Sequence, residues 1–195
     1  LTCHKAYDEA TAILAGDALL TYSFDLLSHI EDLSAEKRLE IIQLYSVAAG
    51  TFGMVGGQYI DLDSENKTIS LHELETIHRK KTGALIKAAI LAGAIAGDTD
   101  ADTYDRLSVY ADNIGLAFQI KDDILDVTGT QEELGKMPGS DALQDKSTYI
   151  SLLGLEASIE KLNALTEEAI ELLTPLGERA MPLIDLAHYI QKRNH

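Results

Sequence analysis

Between Ile114 and Val127 the sequence runs Ile-Gly-Leu-Ala-Phe-Gln-Ile-Lys-Asp-Asp-Ile-Leu-Asp-Val, and few folds can accept that run. Read as a helix at about 100° per residue, Gln119, Asp122, Asp123 and Asp126 fall at i, i+3, i+4 and i+7, inside an arc roughly 100° wide. Ile114, Leu116, Ala117, Phe118, Ile120, Ile124, Leu125 and Val127 take most of the other directions, with Lys121 as the exception. A helix apolar on both flanks of an acidic stripe is packed on both sides, so the stripe should face a cavity. No segment of the chain shows the period-two alternation of a half-buried strand, and only three prolines interrupt it. These features predict an all-α fold, an antiparallel helical bundle around a central cavity.

The stripe has a chemical reading. Like charges at i+4 destabilise a helix by about 0.2–0.5 kcal/mol even in water, and by more where water is partly excluded. A divalent cation removes that penalty. Ligands that are all oxygen, with no His or Cys, suit a hard ion such as Mg²⁺, which binds through one or two carboxylates and shares its remaining positions with water and phosphates. Asp122, Asp123 and Asp126 are therefore the candidate metal ligands. The competing reading is a solvated acidic face, because the chain is acidic throughout, with 16 Lys and Arg against 32 Asp and Glu and a net charge of −16.

Cations at separated positions fit a diphosphate. His78-Arg79-Lys80-Lys81-Thr82 places positive charge on one helix, and Lys136 and Lys146 lie in the long segment after the acidic helix. Lysine is a mobile point charge suited to phosphate oxygens. Gln58 and Asp61 lie three residues apart beside Gly50, Gly53 and Gly57, and periodicity does not decide whether they line the same cavity or cap local groups.

The remaining organisation is that of a single helical domain over 1–195. Helices are predicted over about 7–30 and from the Ser34 N-cap to about Asp61. Another follows the Ser70/Glu73 capping box toward Ala96, with a break expected at Gly83. A long helix capped by Asp102 or Thr103 runs through Val127, and the tail is helical with a break at Pro175. The Gly129–Ser147 segment, rich in Gly and charge, reads as a lid, a binding loop or a disordered stretch. The glycines at 50, 53 and 57 form a stripe that another backbone could approach closely.

Composition excludes several classes. The negative charge argues against nucleic-acid binding, which needs a broad cationic surface, and 46% hydrophobic residues are too many for an acidic disordered chain. One cysteine, Cys3, allows no internal disulfide. The longest apolar run, Ala84 to Gly97, contains Lys87 and falls short of the roughly 20 residues that span a bilayer; with no signal peptide, a cytoplasmic protein without a membrane span is expected. The segments at Asp98 and Asp61 open like EF-hand loops, but Thr103 and Asn66 replace the turn Gly, and Val109 and His72 the bidentate Glu. His72-Glu73 lacks the second His of a zincin, and no Walker A, G-x-S-x-G or dinucleotide fingerprint occurs.

Phe118-Gln-Ile-Lys-Asp-Asp-Ile-Leu-Asp126 resembles the second aspartate-rich motif of the trans-isoprenyl diphosphate synthases, the polyprenyl synthetases. Ala12 to Leu19, Gly56-Gly-Gln-Tyr-Ile-Asp-Leu62, Lys81-Thr-Gly-Ala-Leu85, Gly135-Lys136 and Lys146-Ser-Thr-Tyr149 follow in the family's order. The chain is most similar to the short-chain, bacterial-type branch that makes farnesyl diphosphate (geranyltranstransferase). The resemblance implies a Mg²⁺-dependent prenyltransferase, usually a homodimer, that condenses isopentenyl diphosphate with dimethylallyl or geranyl diphosphate and releases pyrophosphate. It assigns Mg²⁺ to Asp122, Asp123 and Asp126. It places Lys81, Thr82 and Gln119 in catalysis, and Gln58, Lys81, Thr82, Gln119, Lys136 and Lys146 in substrate binding.

The family's first aspartate-rich motif and its Gly-Lys-Arg do not occur in this sequence, which corresponds to roughly the last two-thirds of the pattern. Asp145 and Ile150 replace the usual Gly and Pro around Lys-Ser-Thr-Tyr. The segment alone is expected to be inactive or nearly so. A non-catalytic helical partner subunit of a synthase is the alternative, and an unrelated metal-binding helical bundle is a third reading.

Overall fold

The computed structural model describes residues 1–129 and 147–194, and every regular element among them is helical. The chain divides into two compact units, Leu1–Leu44 and Tyr45–His195. In the first, α1 (Cys3–Ala6) is one short turn, and α2 (Glu9–Ser28) opens at Asp8, whose carboxylate accepts from the Thr11 amide at 2.7 Å. No α2 residue is buried; Ile13, Leu14, Leu19 and Tyr22 are exposed. α2 is 20 residues long with a mean hydropathy of 1.3, and the stretch Ala35–Asp63 reaches 1.2. By length and composition both could cross a bilayer, which corrects the expectation that no segment is long and apolar enough. Asp17 and Asp25 interrupt the apolar run of α2, yet its remaining residues are apolar enough to keep the mean hydropathy high. Helices of soluble cores share this length and composition.

α3 (Ala35–Ala49) starts at Ser34, whose hydroxyl accepts from the Lys37 amide at 3.3 Å, as its N-cap position predicts. The helix expected to continue to Asp61 stops after Ala49. Gly53 adopts φ −118° and ψ −120°, and a Cβ there would lie 2.0 Å from the Ala48 carbonyl oxygen. Glycine-rich sequence lowers helix propensity enough for a turn to win, and α4 (Met54–Asp63) begins afresh. The expected glycine stripe is thereby split, and of its three members only Gly57 meets a backbone distant in sequence.

α5 (Leu71–His78) carries the predicted capping box: Ser70 Oγ accepts from the Glu73 amide at 3.3 Å and Glu73 Oε2 from the Ser70 amide at 2.8 Å. The rod does not break at Gly83. It widens into a π-helical turn, Arg79–Gly83, and continues as α6 (Ala84–Ala96). α7 (Ala101–Thr128) is capped two or three residues earlier than expected, by Asp100 instead of Asp102 or Thr103. The amide and hydroxyl of Thr103 donate to Asp100, each at 2.9 Å, and hold its carboxyl below the usual range. With the folded value depressed, this cap supports the helix at pH above the ordinary carboxylate value, near 4, and fades as pH falls through the lower folded one.

After the Gly129–Ser147 segment, of which only the two ends lie among the described residues, α8 (Tyr149–Leu153) and α9 (Leu155–Leu173) follow. A 3₁₀ segment, Thr174–Ala180, contains Pro175 and kinks at Gly177 (φ 61°), and α10 (Met181–Lys192) ends the chain.

α7 is the spine of the second unit, packed by α6, α9, α10 and the π-turn. Ile114, Leu116, Ala117 and Ile120 are wholly buried, so the two apolar flanks are covered as predicted, although Val127 is exposed. Two registers position the site. His78 faces Asp123, Gly83 abuts Gly115, and Lys87 pairs with Asp112 at 2.6 Å, so the π-turn runs antiparallel beside 115–123. The Tyr110 hydroxyl donates to the Leu183 carbonyl at 2.7 Å, so α10 runs parallel to α7 and delivers the C-terminal residues to the level of Phe118 and Asp122. Ten residues of rise from 183, roughly 15 Å, match the eight to twelve that separate Tyr110 from that level.

Candidate functional site

The acidic stripe lies where α7 meets these two registers. Asp123 and Asp126 are buried, while the Asp122 side chain retains 43% of its exposure. Asp122 Oδ2 accepts from Gln119 Nε2 at 3.1 Å, joining two of the predicted site residues one helical turn apart. Asp123 Oδ2 accepts from the Tyr149 amide at 2.8 Å and lies 3.8 Å from His78 Nε2. The carboxylates that share a helix face thus have different tasks. Asp123 fastens the start of α8 to α7, whereas Asp122 accepts from Gln119 on its own helix.

The π-turn carries Lys81 and Thr82. Lys81 Nζ donates to Asp61 Oδ2 at 2.7 Å, a half-buried ion pair bridging the π-turn and α4. Asp61, which periodicity left undecided, therefore holds Lys81 in place. Gly57 fits against this turn from α4 and Gly115 from α7: a Cβ at 57 would meet the Lys81 nitrogen at 2.3 Å, and one at 115 the Gly83 Cα at 2.9 Å. Gln58 is half-buried next to Gly57 on α4. Lys81 and Thr82 belong to the π-turn, Gln58 follows the glycine that packs against it, and Gln119 lies on the stretch of α7 that runs beside it. Lys136 and Lys146 lie outside the described residues.

A polar cluster that sequence reasoning did not single out braces the site. Tyr149 is fully buried, stacks on the His78 ring at 5.9 Å, and donates its hydroxyl to Glu75 Oε1 at 2.8 Å; Lys161 Nζ lies 3.9 Å from the same oxygen. Burial, reinforced by the hydrogen bond to Glu75, pushes the Tyr149 phenol well above its ordinary value, so it stays a donor. Removing the hydroxyl in Tyr149→Phe is expected to lower stability by about 1–2 kcal/mol, because a charged acceptor loses its partner. Urea unfolding measures this, and an unchanged midpoint would show that Glu75 is satisfied without the phenol.

Arg193 was also missed. Its guanidinium, 8% exposed, donates to the Phe118 carbonyl at 3.1 Å and to Asp122 Oδ1, and sits 4.2 Å over the Phe118 ring. Burial, with this guanidinium nearby, holds the Lys121 ammonium below its usual range. No periodicity links residue 193 to residue 122, so only the α7–α10 register could have revealed the pair.

Among the described residues no three His, Cys, Asp or Glu side chains converge closely enough to hold a metal by themselves. The donor set nevertheless fits a hard ion that takes one or two carboxylates and fills its other positions with water and phosphate oxygens. It does not fit a closed protein cage.

Residues 1–175 match the polyprenyl synthetase family. The chain belongs to that family. Among polyprenyl synthetase relatives, the farnesyl diphosphate synthase of Micrococcus luteus is 51% identical over 197 residues, covering 100% of this chain and 66% of that protein. The farnesyl diphosphate synthase of Bacillus subtilis is 47% identical over 196 residues with the same coverage. The crystal structure of the Helicobacter pylori geranyltransferase complexed with magnesium and isoprenyl diphosphate is 37% identical, with a TM-score of 0.84 over 97% of this chain and 62% of that one. The chain spans just under two thirds of the length of the curated relatives it matches.

Proposed function

We propose that this polyprenyl synthetase chain contributes the acidic helix and the allylic diphosphate pocket of a Mg²⁺-dependent farnesyl diphosphate synthase-type prenyltransferase. The observation that carries the reading is a half-exposed Asp122 and a buried Asp126, one turn apart on a spine helix, with the π-turn that contains Lys81 and Thr82 packed on the same stretch of that helix. The reaction breaks the allylic C–O bond, forms a C–C bond to isopentenyl diphosphate, and releases pyrophosphate and a proton. Mg²⁺, held by Asp122, Asp123 and Asp126, would neutralise the departing diphosphate. The Asp123 share is limited, since one of its oxygens already serves the Tyr149 amide.

This chain's own groups do the rest. Lys81, oriented by Asp61, supplies positive charge for the phosphate oxygens, and Thr82 a hydroxyl donor. Gln119 orients Asp122, and Gln58 borders the same turn. Lys136 and Lys146 add cations to the diphosphate pocket. Apolar helix faces exclude water from the reacting carbons. A single domain over 1–195, homodimeric assembly and a cytoplasmic setting belong to the same reading through the family resemblance.

The test is pyrophosphate release from isopentenyl diphosphate plus geranyl or dimethylallyl diphosphate, with the complete protein in which this sequence occurs. Turnover that requires Mg²⁺ and is lost in Asp122→Ala is expected. Unchanged turnover in that variant removes the role assigned to the stripe.

A further inference from the structure

The acidic stripe already has a cation of its own, and it comes from the far end of the chain. Arg193 reaches Asp122 Oδ1 while Gln119 donates to Oδ2, so both oxygens of the most exposed stripe carboxylate are engaged by protein donors. The guanidinium is held by three features at once: the Phe118 ring beneath it, the Phe118 carbonyl and the carboxylate. A planar, weakly hydrated cation stacked on an aromatic face is suited to such a position. In a chain with 16 cationic side chains against 32 acidic ones, a guanidinium only 8% exposed at this carboxylate is a placed group.

A metal ion and this arginine compete for one oxygen. We propose that Arg193 is an internal counter-ion of Asp122 that must release the carboxylate when Mg²⁺ binds, so that metal loading and docking of the C-terminal residues oppose each other. The proposal rests on the metal role of Asp122 given above. By linkage, whatever Arg193 takes from metal affinity, metal takes from Arg193 docking. The position also suits the metal-free protein, because an uncompensated carboxylate beside Asp123 and Asp126 is unfavourable.

Mg²⁺ binding to the full chain, followed by titration calorimetry, tests this without reference to turnover. Arg193→Gln is expected to bind Mg²⁺ about two- to fivefold more tightly, the range that removal of one partly exposed ion-pair competitor allows. Arg193→Lys, which keeps the charge but loses the planar stack on Phe118, should fall between the two. In the wild type, saturating Mg²⁺ should raise the rate of tryptic cleavage after Lys192 or Arg193; in Arg193→Gln, cleavage after Lys192 should not respond. If the wild type binds Mg²⁺ and Arg193→Gln binds it equally or more weakly, the counter-ion role is overturned and the proposed function stands. If neither binds Mg²⁺, the metal role of the stripe falls, and this inference with it. Should Arg193→Gln unfold, the affinity of Arg193→Lys and the wild-type cleavage response still decide the matter.

Discussion

If the proposed function holds, Asp126→Asn in the complete protein is expected to lower kcat for prenyl transfer on the order of 10²–10³-fold, the effect of removing one fixed electrostatic group at a charge-developing centre. The substitution preserves shape and removes only charge. Asp126 is 4% exposed on a helix that buries Ile124 and Leu125 beside it, so its carboxylate is desolvated and its charge acts at short range. Unfolding should remain a single cooperative transition, since no methylene is lost from the core and no cavity opens. The measurement pairs steady-state pyrophosphate release with urea unfolding. A variant that turns over within threefold of the wild type would show that Asp126 is a satisfied core carboxylate and leave the metal to Asp122, with the limited share of Asp123.

Gly57→Ala is expected to force apart the contact between α4 and the π-turn. Its Cβ would stand 2.3 Å from the Lys81 nitrogen and 2.7 Å from the Lys81 Cα, both backbone atoms that cannot rotate away. Relief requires α4 to move off the π-turn, at about 1–3 kcal/mol for overpacking. The same movement carries Asp61 away from Lys81, so KM for the allylic diphosphate should rise together with the loss of stability. Gly115→Ala meets Gly83 Cα at 2.9 Å and should show a milder form of both effects. Gly93→Ala in α6 meets nothing within 4 Å and should gain up to about 1 kcal/mol from helix propensity. Equal stability in Gly57→Ala and the wild type would mean that the π-turn yields, and that Lys81 is not held by this contact.

The helical class and the spine were legible because packing on both flanks of 114–127 leaves a periodic imprint in the sequence. The Ser70/Glu73 box was legible because capping is local and has a fixed spacing. Boundaries set by competition were not. Asp100 and Asp102 are chemically alike, and only the turn geometry chose Asp100; the helix expected through Gly50 and Gly53 lost to a turn whose advantage depends on where α4 must pack. The site divided in the same way. The i, i+3, i+4, i+7 pattern identified the stripe, but the partners of its members, Tyr149, His78 and Arg193, are 26 to 71 residues away in sequence or on another helix, and carry no periodic relation to it. Gln119 was found through its place on the stripe, whereas Asp61 became meaningful only once Lys81 was seen to reach it.

The π-turn at Arg79–Gly83 also shapes how sequences of this kind can change in length. A π-turn holds one residue more than the regular spiral on either side of it. Losing a single residue there would return α5 and α6 to one uniform spiral with every apolar position downstream still facing the spine. A one-residue loss anywhere else in the rod would rotate the downstream half by about 100° and turn its buried seam outward. A length difference of one confined to this stretch would therefore mark a sequence that has kept its packing and given up the presentation of Lys81.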